Sequence, residues 1–381
     1  MFGRKINLSV SDVNDDVKKY MRRAIFNAWK GAGHVSPNPM VGAVIVKNGS
    51  IIGEGYHEQY GGLHAERNAL ANCKESAVGA DMFVTLEPCC HYGKQPPCTE
   101  AVAASGIKRV FVGSADPNPC VSGKGVAYLR AAGIEVIENV LKDECDEIND
   151  VFFYYITTHL PFVTMKYAMT MDGKIACYTG KSQWITSDAA RLRVHSDRNR
   201  YSAVMVGVGT VIADDPMLNC RIENGVNPIR IICDTILRTP LKSKIVTTAD
   251  DIPTIIATCC TDKEKISAYE KKNVRILTAC EKNNHIDLEK LMETLGAENI
   301  DSIILEGGAL LNWSALKAGI VNKVQTYVAP KIFGGNDAKS PVGGIGVAIP
   351  DECFQLENMK VKHIGEDILI ESRVKNVHRN N

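Results

Sequence analysis

Between residues 15 and 30, Val17, Met21, Ala24, Ile25 and Ala28 fall on one stripe at helical spacing, and Gly31 and Gly33 follow as stop signals. This predicts an amphipathic helix packed on a core. After the Ser36-Pro37-Asn38-Pro39 loop, apolar runs at 41–46 and 51–56 flank Lys47-Asn48-Gly49-Ser50, a hairpin signature. From Leu63 the pattern alternates, with helices at 64–75, 98–105 and 124–132 and strands at 82–86, 109–113 and 134–138. Such alternation predicts a sheet with parallel strands covered by helices. A helix over 142–157 ends in aromatic residues ahead of Pro161, and proline disfavours helix in the residue before it. The domain boundary is therefore placed at 158–161. Alternation then restarts, with strands at 162–169, 202–207, 229–233, 254–258, 302–307 and 323–329, and helices at 187–198, 262–271, 287–295 and 309–318. The expectation is two unlike α/β domains, 1–158 and 161–381, with residues 1–14 as a flexible extension.

The length of 381 residues agrees with two cores rather than one. Lys plus Arg and Asp plus Glu both number 44. With no net charge and no basic stripe, the chain is a poor candidate for gripping a polyanion, which argues against nucleic acid as a partner. No apolar run reaches about 18 residues, and the first stretch lacks the apolar core of a signal peptide, so a cytoplasmic protein without a membrane span is expected. The 13 cysteines then read mostly as reduced thiols. Any clustered subset must be explained by metal or catalysis.

One such cluster lies in the N-terminal half. His64-Ala65-Glu66 opens a helix, Pro88-Cys89 follows the strand at 82–86, and Cys98 comes nine residues later. Helix positions i and i+2 point apart, so His64 and Glu66 can serve one site only beyond the helix N-terminus. His64, Cys89 and Cys98 as ligands would leave tetrahedral zinc one open position, the mark of a catalytic site. Cys90 and His91 compete for the fourth position, and a closed structural site of Cys89, Cys98, His64 and His91 is the alternative.

The set Ser36-Pro37-Asn38-Pro39-x-Val41-Gly42, His64-Ala65-Glu66 and Glu87-Pro88-Cys89-x-His91-x-Gly93-Lys94-x-Pro96-Pro97-Cys98 resembles the deaminase domain of the bifunctional riboflavin-biosynthesis deaminase/reductase family. That resemblance implies a cytidine-deaminase-like α/β/α zinc domain, a pattern related to the general one of zinc nucleobase deaminases with its second cysteine displaced. It makes His64, Cys89 and Cys98 the zinc ligands and Glu66 the proton shuttle. It also gives substrate contacts to Asn38, His57, His91, Lys94, Asp116 and Asn118. Amides and carboxylates suit a pyrimidine edge, and His91 and Lys94 suit a ribose phosphate. Cys90 and Gln95 stand where the family often has a hydroxyl residue, and neither is a ligand.

In the C-terminal half, strand 202–207 runs into Gly207-Val208-Gly209-Thr210, read as a turn, and strand 302–307 runs into Gly307-Gly308. Glycines after sheet strands let backbone amides approach a phosphate, but no third glycine completes the dinucleotide fingerprint, so a plain Rossmann domain does not fit. Together with Lys166-x-Ala168-x-x-x-Asp172-Gly173-Lys174, Trp184-Ile185-Thr186-Ser187 and Asp214-Asp215-Pro216, these residues resemble the reductase domain of the same family, which is similar to dihydrofolate reductase in fold and uses NADPH. The resemblance places Ala168, Trp184, Thr210, Asp214, Thr235 and the segment from Gly308 on the cofactor. It places Ser182, Thr186, Arg198, Leu218, Arg221 and Glu306 on the substrate. Arg198 and Arg221 are read as a phosphate clamp because a guanidinium fork binds phosphate bidentately. Lys166 and Asp214, placed at the ligand edge of the sheet, are candidates for meeting charge developed during reduction.

The chain is thus expected to be a homo-oligomeric enzyme with one zinc and NADPH, deaminating a phosphoribosylaminopyrimidine and then reducing its ribosyl arm. Two rivals remain at this level. A nucleic-acid deaminase would need a basic face, and a zinc-stabilised nucleotide-binding regulator would have no need of Glu66.

Overall fold

The computed structural model describes residues 14–118 and 121–375. The expected N-terminal extension, all but Asn14, lies outside the described residues. The chain divides after Thr158 into two compact units.

The first unit runs α1 (Asp15–Ala28), β1 (Gly42–Lys47), β2 (Ser50–Tyr56), α2 (Ala65–Ala71), β3 (Asp81–Leu86), α3 (Cys98–Ala104), β4 (Arg109–Ser114), α4 (Lys124–Ala131), β5 (Glu135–Ile137), α5 (Lys142–Ile148) and α6 (Asp150–Thr158). The strands order β2-β1-β3-β4-β5. β1 is antiparallel to β2 and β3, and β3, β4 and β5 are parallel. Successive strand side chains point to opposite faces, and both faces are covered. Ala43, Ile45, Met82, Val84, Val110 and Val112 pack with Ala65 and Ala69 of α2, Val102 of α3 and Leu129 of α4. Val44, Val46, Phe83 and Phe111 pack with Met21 and Ala24 of α1 and Cys145 of α5. The result is an α/β/α sandwich whose hydrophobic runs are explained by burial on both sides.

Helix α1 starts where Asn14 accepts from Val17 N at 2.9 Å, an N-cap that satisfies one of the helix's free donors. It lies so close to β1 that a Cβ on Gly42 would sit 2.0 Å from Ala24 O. The single helix expected over 142–157 is instead two. α5 ends at Asn149, whose buried amide accepts from Met40 N at 2.8 Å and donates to Met40 O at 3.0 Å. This tertiary partnership holds Asn149 out of helical geometry and turns α6 back toward the 36–41 loop.

The second unit runs β6 (Phe162–Thr170), α7 (Asp188–Arg200), β7 (Ala203–Gly207), α8 (Val208–Asp214), β8 (Ile229–Cys233), α9 (Lys244–Thr247), β9 (Thr254–Thr258), α10 (Lys263–Glu270), β10 (Arg275–Thr278), β11 (Glu281–Lys282), β12 (His285–Ile286), α11 (Leu288–Ala297), β13 (Ser302–Gly307), α12 (Ala309–Lys317), β14 (Lys323–Ala329), β15 (Leu356–Ile364) and β16 (Asp367–Val374). Its nine-stranded sheet has the order β10-β9-β8-β7-β13-β6-β14-β16-β15. The strands from β10 to β14 are parallel, and the β15–β16 hairpin adds antiparallel to β14. Met165, Met205, Ile231, Ile255 and Ile303 form its main core with Leu291, Leu295 and Ala315 of the covering helices.

Several features differ from the sequence reading, and α9, β10, β11 and β12 lie outside the elements it expects. Val208–Asp214 is a helix rather than a turn, so Asp214 ends a helix. Strand β15 escaped the pattern because all of it except Ile364 is exposed and carries interspersed charges, which erases a period of two, and β16 escaped because Asp367, Glu371 and Ser372 occupy buried positions where apolar residues would mark a strand. Gly365, at φ +62 between the two strands, was the legible hairpin signal.

Gly42→Ala is expected to destabilise the first unit by about 3 kcal/mol, because the methyl meets rigid helix backbone. Denaturant unfolding followed in the first unit checks this, and an unchanged midpoint would show that α1 can shift off β1.

Candidate functional site

His64 is the N-cap of α2 and is extended, with φ −77 and ψ 163, whereas Glu66 lies inside the helix. That change of backbone geometry lets residues two apart face one site. Cys98 opens α3 and Cys89 follows β3. His64 Nδ1 lies 3.4 Å from both Cys89 Sγ and Cys98 Sγ. Zinc bonds of about 2.3 Å to sulfur and about 2.0 Å to nitrogen at tetrahedral angles put neighbouring donors roughly 3.6 Å apart, so this triad could hold the ion. Among the described residues no other His, Cys, Asp or Glu joins the cluster. His91 is exposed, so the closed four-residue alternative is not formed.

The loop between the cysteines is fastened at both ends. Cys98 N donates to Cys89 Sγ at 3.3 Å, and Arg67 of α2 donates to Pro96 O at 3.2 Å and to Pro97 O at 2.8 Å. Cys89 is held well below the usual thiol range, first by the hydrogen bond from Cys98, with His64 also favouring the thiolate against burial. Cys98 is pushed up by the same bond and by burial, and the Cys89 bond raises His64. A dication here would compete for those protons. Glu66 is 3 % exposed, and burial, followed by the Cys89 charge, lifts its carboxyl to about 7. A carboxyl poised there can both take and return a proton near neutrality.

A cavity of about 320 Å³ opens over this cluster, and Asn38, His57, His91, Lys94, Asp116 and Asn118 all line it. His57 Nδ1 lies 3.0 Å from Leu63 O, and Asn38 Nδ2 lies 3.2 Å from His57 Nε2. The consistent tautomer donates from Nδ1 to Leu63 and accepts at Nε2 from Asn38, so that among the described residues the Asn38 side-chain carbonyl remains open as an acceptor. Burial lowers His57 and so favours this neutral form. Burial lifts Asp116 to about 6, although its carboxylate accepts from Asn118 N at 2.8 Å. The sequence reading missed Phe152, Tyr155 and Ile156, which supply an apolar wall from α6. It also assigned no role to Glu87, which accepts from Gly123 N at 3.0 Å and Val126 N at 3.1 Å. Glu87 thereby ties the cysteine loop to the start of α4.

In the second unit, β8, β7, β13 and β6 are parallel neighbours. Their C-terminal ends bring together Thr235, the Gly207–Thr210 segment, Glu306 to Gly308, and Ala168. Ligands of open α/β sheets bind at such an edge. Thr210 Oγ1 donates to Gly307 O at 3.3 Å, and Gly308 at φ +41 has open space around it save Thr210. This glycine turn with a hydroxyl beside it fits a dinucleotide phosphate. Trp184 is 60 % exposed, with the Arg191 guanidinium 4.5 Å from its ring centre, and Lys331 Nζ donates to Trp184 O at 3.1 Å and Ile185 O at 2.6 Å. Thr186 O accepts from Arg191 at 2.6 Å, Ser182 is half-buried, and Leu218 is buried at φ +51.

Residues 161–370 match the family model of the RibD C-terminal domain, and residues 14–114 match that of the cytidine and deoxycytidylate deaminase zinc-binding region. The riboflavin biosynthesis protein RibD of Actinobacillus pleuropneumoniae is 53% identical over 352 residues, covering 92% of this chain and 94% of its own length. Its counterpart in Escherichia coli is 36% identical over 364 residues, covering 92% and 97%. The chain belongs to the RibD family. A crystal structure of a diaminohydroxyphosphoribosylaminopyrimidine deaminase/5-amino-6-(5-phosphoribosylamino)uracil reductase from Thermotoga maritima superposes with a TM-score of 0.82 at 40% identity, covering 94% of this chain and 98% of that one. This RibD protein therefore pairs a cytidine-deaminase-like zinc domain with a RibD reductase domain that uses NADPH. Among its described residues no helix is long and apolar enough to cross a membrane.

The RibD reductase unit treats its two arginines differently. Arg221 is exposed, with Nε 3.2 Å from Asn219 Oδ1. Arg198 is not an open fork: Nε and Nη2 donate to the two Glu306 oxygens at 2.6 and 2.7 Å, and Nη1 donates to Asn219 O at 3.0 Å. Lys166 lies mid-strand, where burial lowers it and Glu306 opposes that shift, and among the described residues it forms no ion pair with Asp214, which is exposed at the end of α8.

Burial pushes the Glu306 carboxyl up, but Arg198 outweighs it, helped by Lys166, and the group settles at about 2 against an ordinary 4.5. A depressed carboxylate contributes stability above its unfolded value and loses it as pH falls through the folded one. The reductase unit is expected to lose this contribution between pH 4.5 and about 2. Glu306→Gln should cost about 3–5 kcal/mol at neutral pH by stranding Arg198. Unfolding midpoints against pH check this, and a variant as stable as the parent would show the pair to be solvated.

Proposed function

We propose that the first unit hydrolyses the 2-amino group of 2,5-diamino-6-(5-phosphoribosylamino)pyrimidin-4-one, giving 5-amino-6-(5-phosphoribosylamino)uracil. The second unit then reduces the ribosyl arm to ribityl with NADPH. The observation that carries this reading is the buried Glu66 beside the His64, Cys89 and Cys98 donors, under a cavity lined by six polar residues suited to a phosphorylated pyrimidine. Zinc, when bound, supplies a Lewis acid and an acidified water.

Glu66 takes a proton from the attacking water and hands it to the departing amine, so that the C–N bond breaks and ammonia leaves as the carbonyl forms. The Asn38 acceptor, oriented by His57, reads the pyrimidine edge with Asp116 and Asn118. His91 and Lys94 take the phosphate. In the reductase unit, Ala168, Trp184, Thr210, Thr235 and Gly308 form the cofactor side, with Asp214 at its rim. Ser182, Thr186, Leu218 and Arg221 face the substrate, with Arg198 acting through Glu306. Reduction at ribose C1 places negative charge on the neighbouring nitrogen or oxygen, and the Lys166 ammonium is the cation set to meet it. The two activities belong to separate domains of the chain, 1–158 and 161–381.

The enzyme is assigned to the cytoplasm, and it assembles as a homo-oligomer. The open edge strand β15, with Leu356, Met359 and Val361 all more than half exposed, supports that assembly, since unpaired edges invite pairing. Light scattering of Met359→Lys/Val361→Lys is expected to show a smaller particle than the parent. An unchanged mass would move the interface elsewhere.

Glu66→Gln should retain zinc and lose ammonia release by at least about 10²-fold, while NADPH oxidation with the already deaminated substrate persists. Cys98→Ser should lose most of the metal. Near-normal deamination in Glu66→Gln, or full zinc in Cys98→Ser, would sink the assignment.

A further inference from the structure

Two loops meet at the mouth of the deaminase cavity, one following β2 and one between Cys89 and Cys98. Gln95 Nε2 donates to Gly61 O at 3.0 Å. One residue away on each loop, the Lys94 ammonium lies 3.8 Å from the centre of the Tyr60 ring. Gly61, at φ +80, lets the chain turn beneath the lysine, and a Cβ there would already touch Lys94 Cδ at 3.5 Å. Tyr60 and Lys94 both line the cavity, and Tyr60 is 49 % exposed.

The partner chosen for this cation matters. Among the described residues, Lys94 forms an aromatic contact and no ion pair with a carboxylate. A carboxylate would fix the ammonium but cancel its charge, as Glu306 does for Arg198. The face of an aromatic ring attracts the ammonium through its quadrupole and leaves the positive charge available to a second, anionic partner. Lysine carries that charge on a flexible four-carbon stem, so a platform that restricts the stem prepays part of the ordering that anion binding requires.

We propose that Tyr60 is a specificity-determining positioning residue of the deaminase: its ring holds the Lys94 ammonium at the cavity mouth, selecting a pyrimidine whose ribose ends in a phosphate over one ending in a hydroxyl. This rests on the reading of Lys94 as the phosphate partner. The test measures ammonia release with the phosphorylated substrate and with its dephosphorylated analogue. Tyr60→Leu is expected to raise KM for the phosphorylated substrate about three- to fivefold with kcat little changed and no effect on KM for the analogue. Tyr60→Phe, which keeps the ring face, should restore the preference. Lys94→Gln, measured alongside, should abolish it.

An unchanged preference in Tyr60→Leu while Lys94→Gln loses it overturns the role of the ring and leaves the phosphate reading standing. An equal rise in KM on both substrates also overturns it, because simple packing does not distinguish them. A preference that survives Lys94→Gln removes the phosphate reading itself, and the proposal with it.

Discussion

Holding an imidazole, two thiols and a carboxylate together out of water is the constraint around which the first unit is organised. Each group is costly to bury alone, and here each is perturbed by the others: Cys89 is held low, while Cys98 and Glu66 are driven up. The sheet resolves the problem by delivering the groups from element ends. His64 stands just outside α2, Cys98 begins α3, and Cys89 leaves β3. Backbone that is not yet regular can aim a side chain where helical geometry would not.

The polar groups around that cluster act mostly on backbone. Arg67 grips the carbonyls before Cys98, Glu87 accepts from the start of α4, and Asn149 clasps Met40. None touches the triad, yet each holds a loop that lines the cavity. Such contacts make a site rigid. The same economy explains why the cavity wall is completed by α6, which follows the break at Asn149.

The two units handle cations in opposite ways. Arg198 is half-buried and closed by a bidentate carboxylate, which makes it a strut whose loss would leave Glu306 without that partner. Lys94 is exposed at a cavity mouth and rests on a ring. A charge that is already neutralised stabilises the fold, whereas a charge held by a neutral partner stays ready for ligand. Residue type alone does not distinguish these cases, and for Arg198 the clamp expected from its guanidinium gives way to an internal ion pair.

What could be read from the chain were features carried by local pattern. Apolar periodicity located most strands and helices, because buried faces must repeat at the period of their element, and the His-x-Glu and double-cysteine spacing pointed to a metal cluster whose three ligands the family resemblance singled out. What only the tertiary structure decided depended on partners distant in sequence. Asn149 breaks a helix because Met40 waits for its amide, 109 residues away. Arg198 closes on Glu306, 108 residues on. Phe152 and Tyr155 become cavity wall by the way α6 is turned, and β15 hid because an exposed edge strand has no buried face to impose a period. Periodicity records which side of an element is buried; it does not record against what, and that choice is made by the packing of the whole domain.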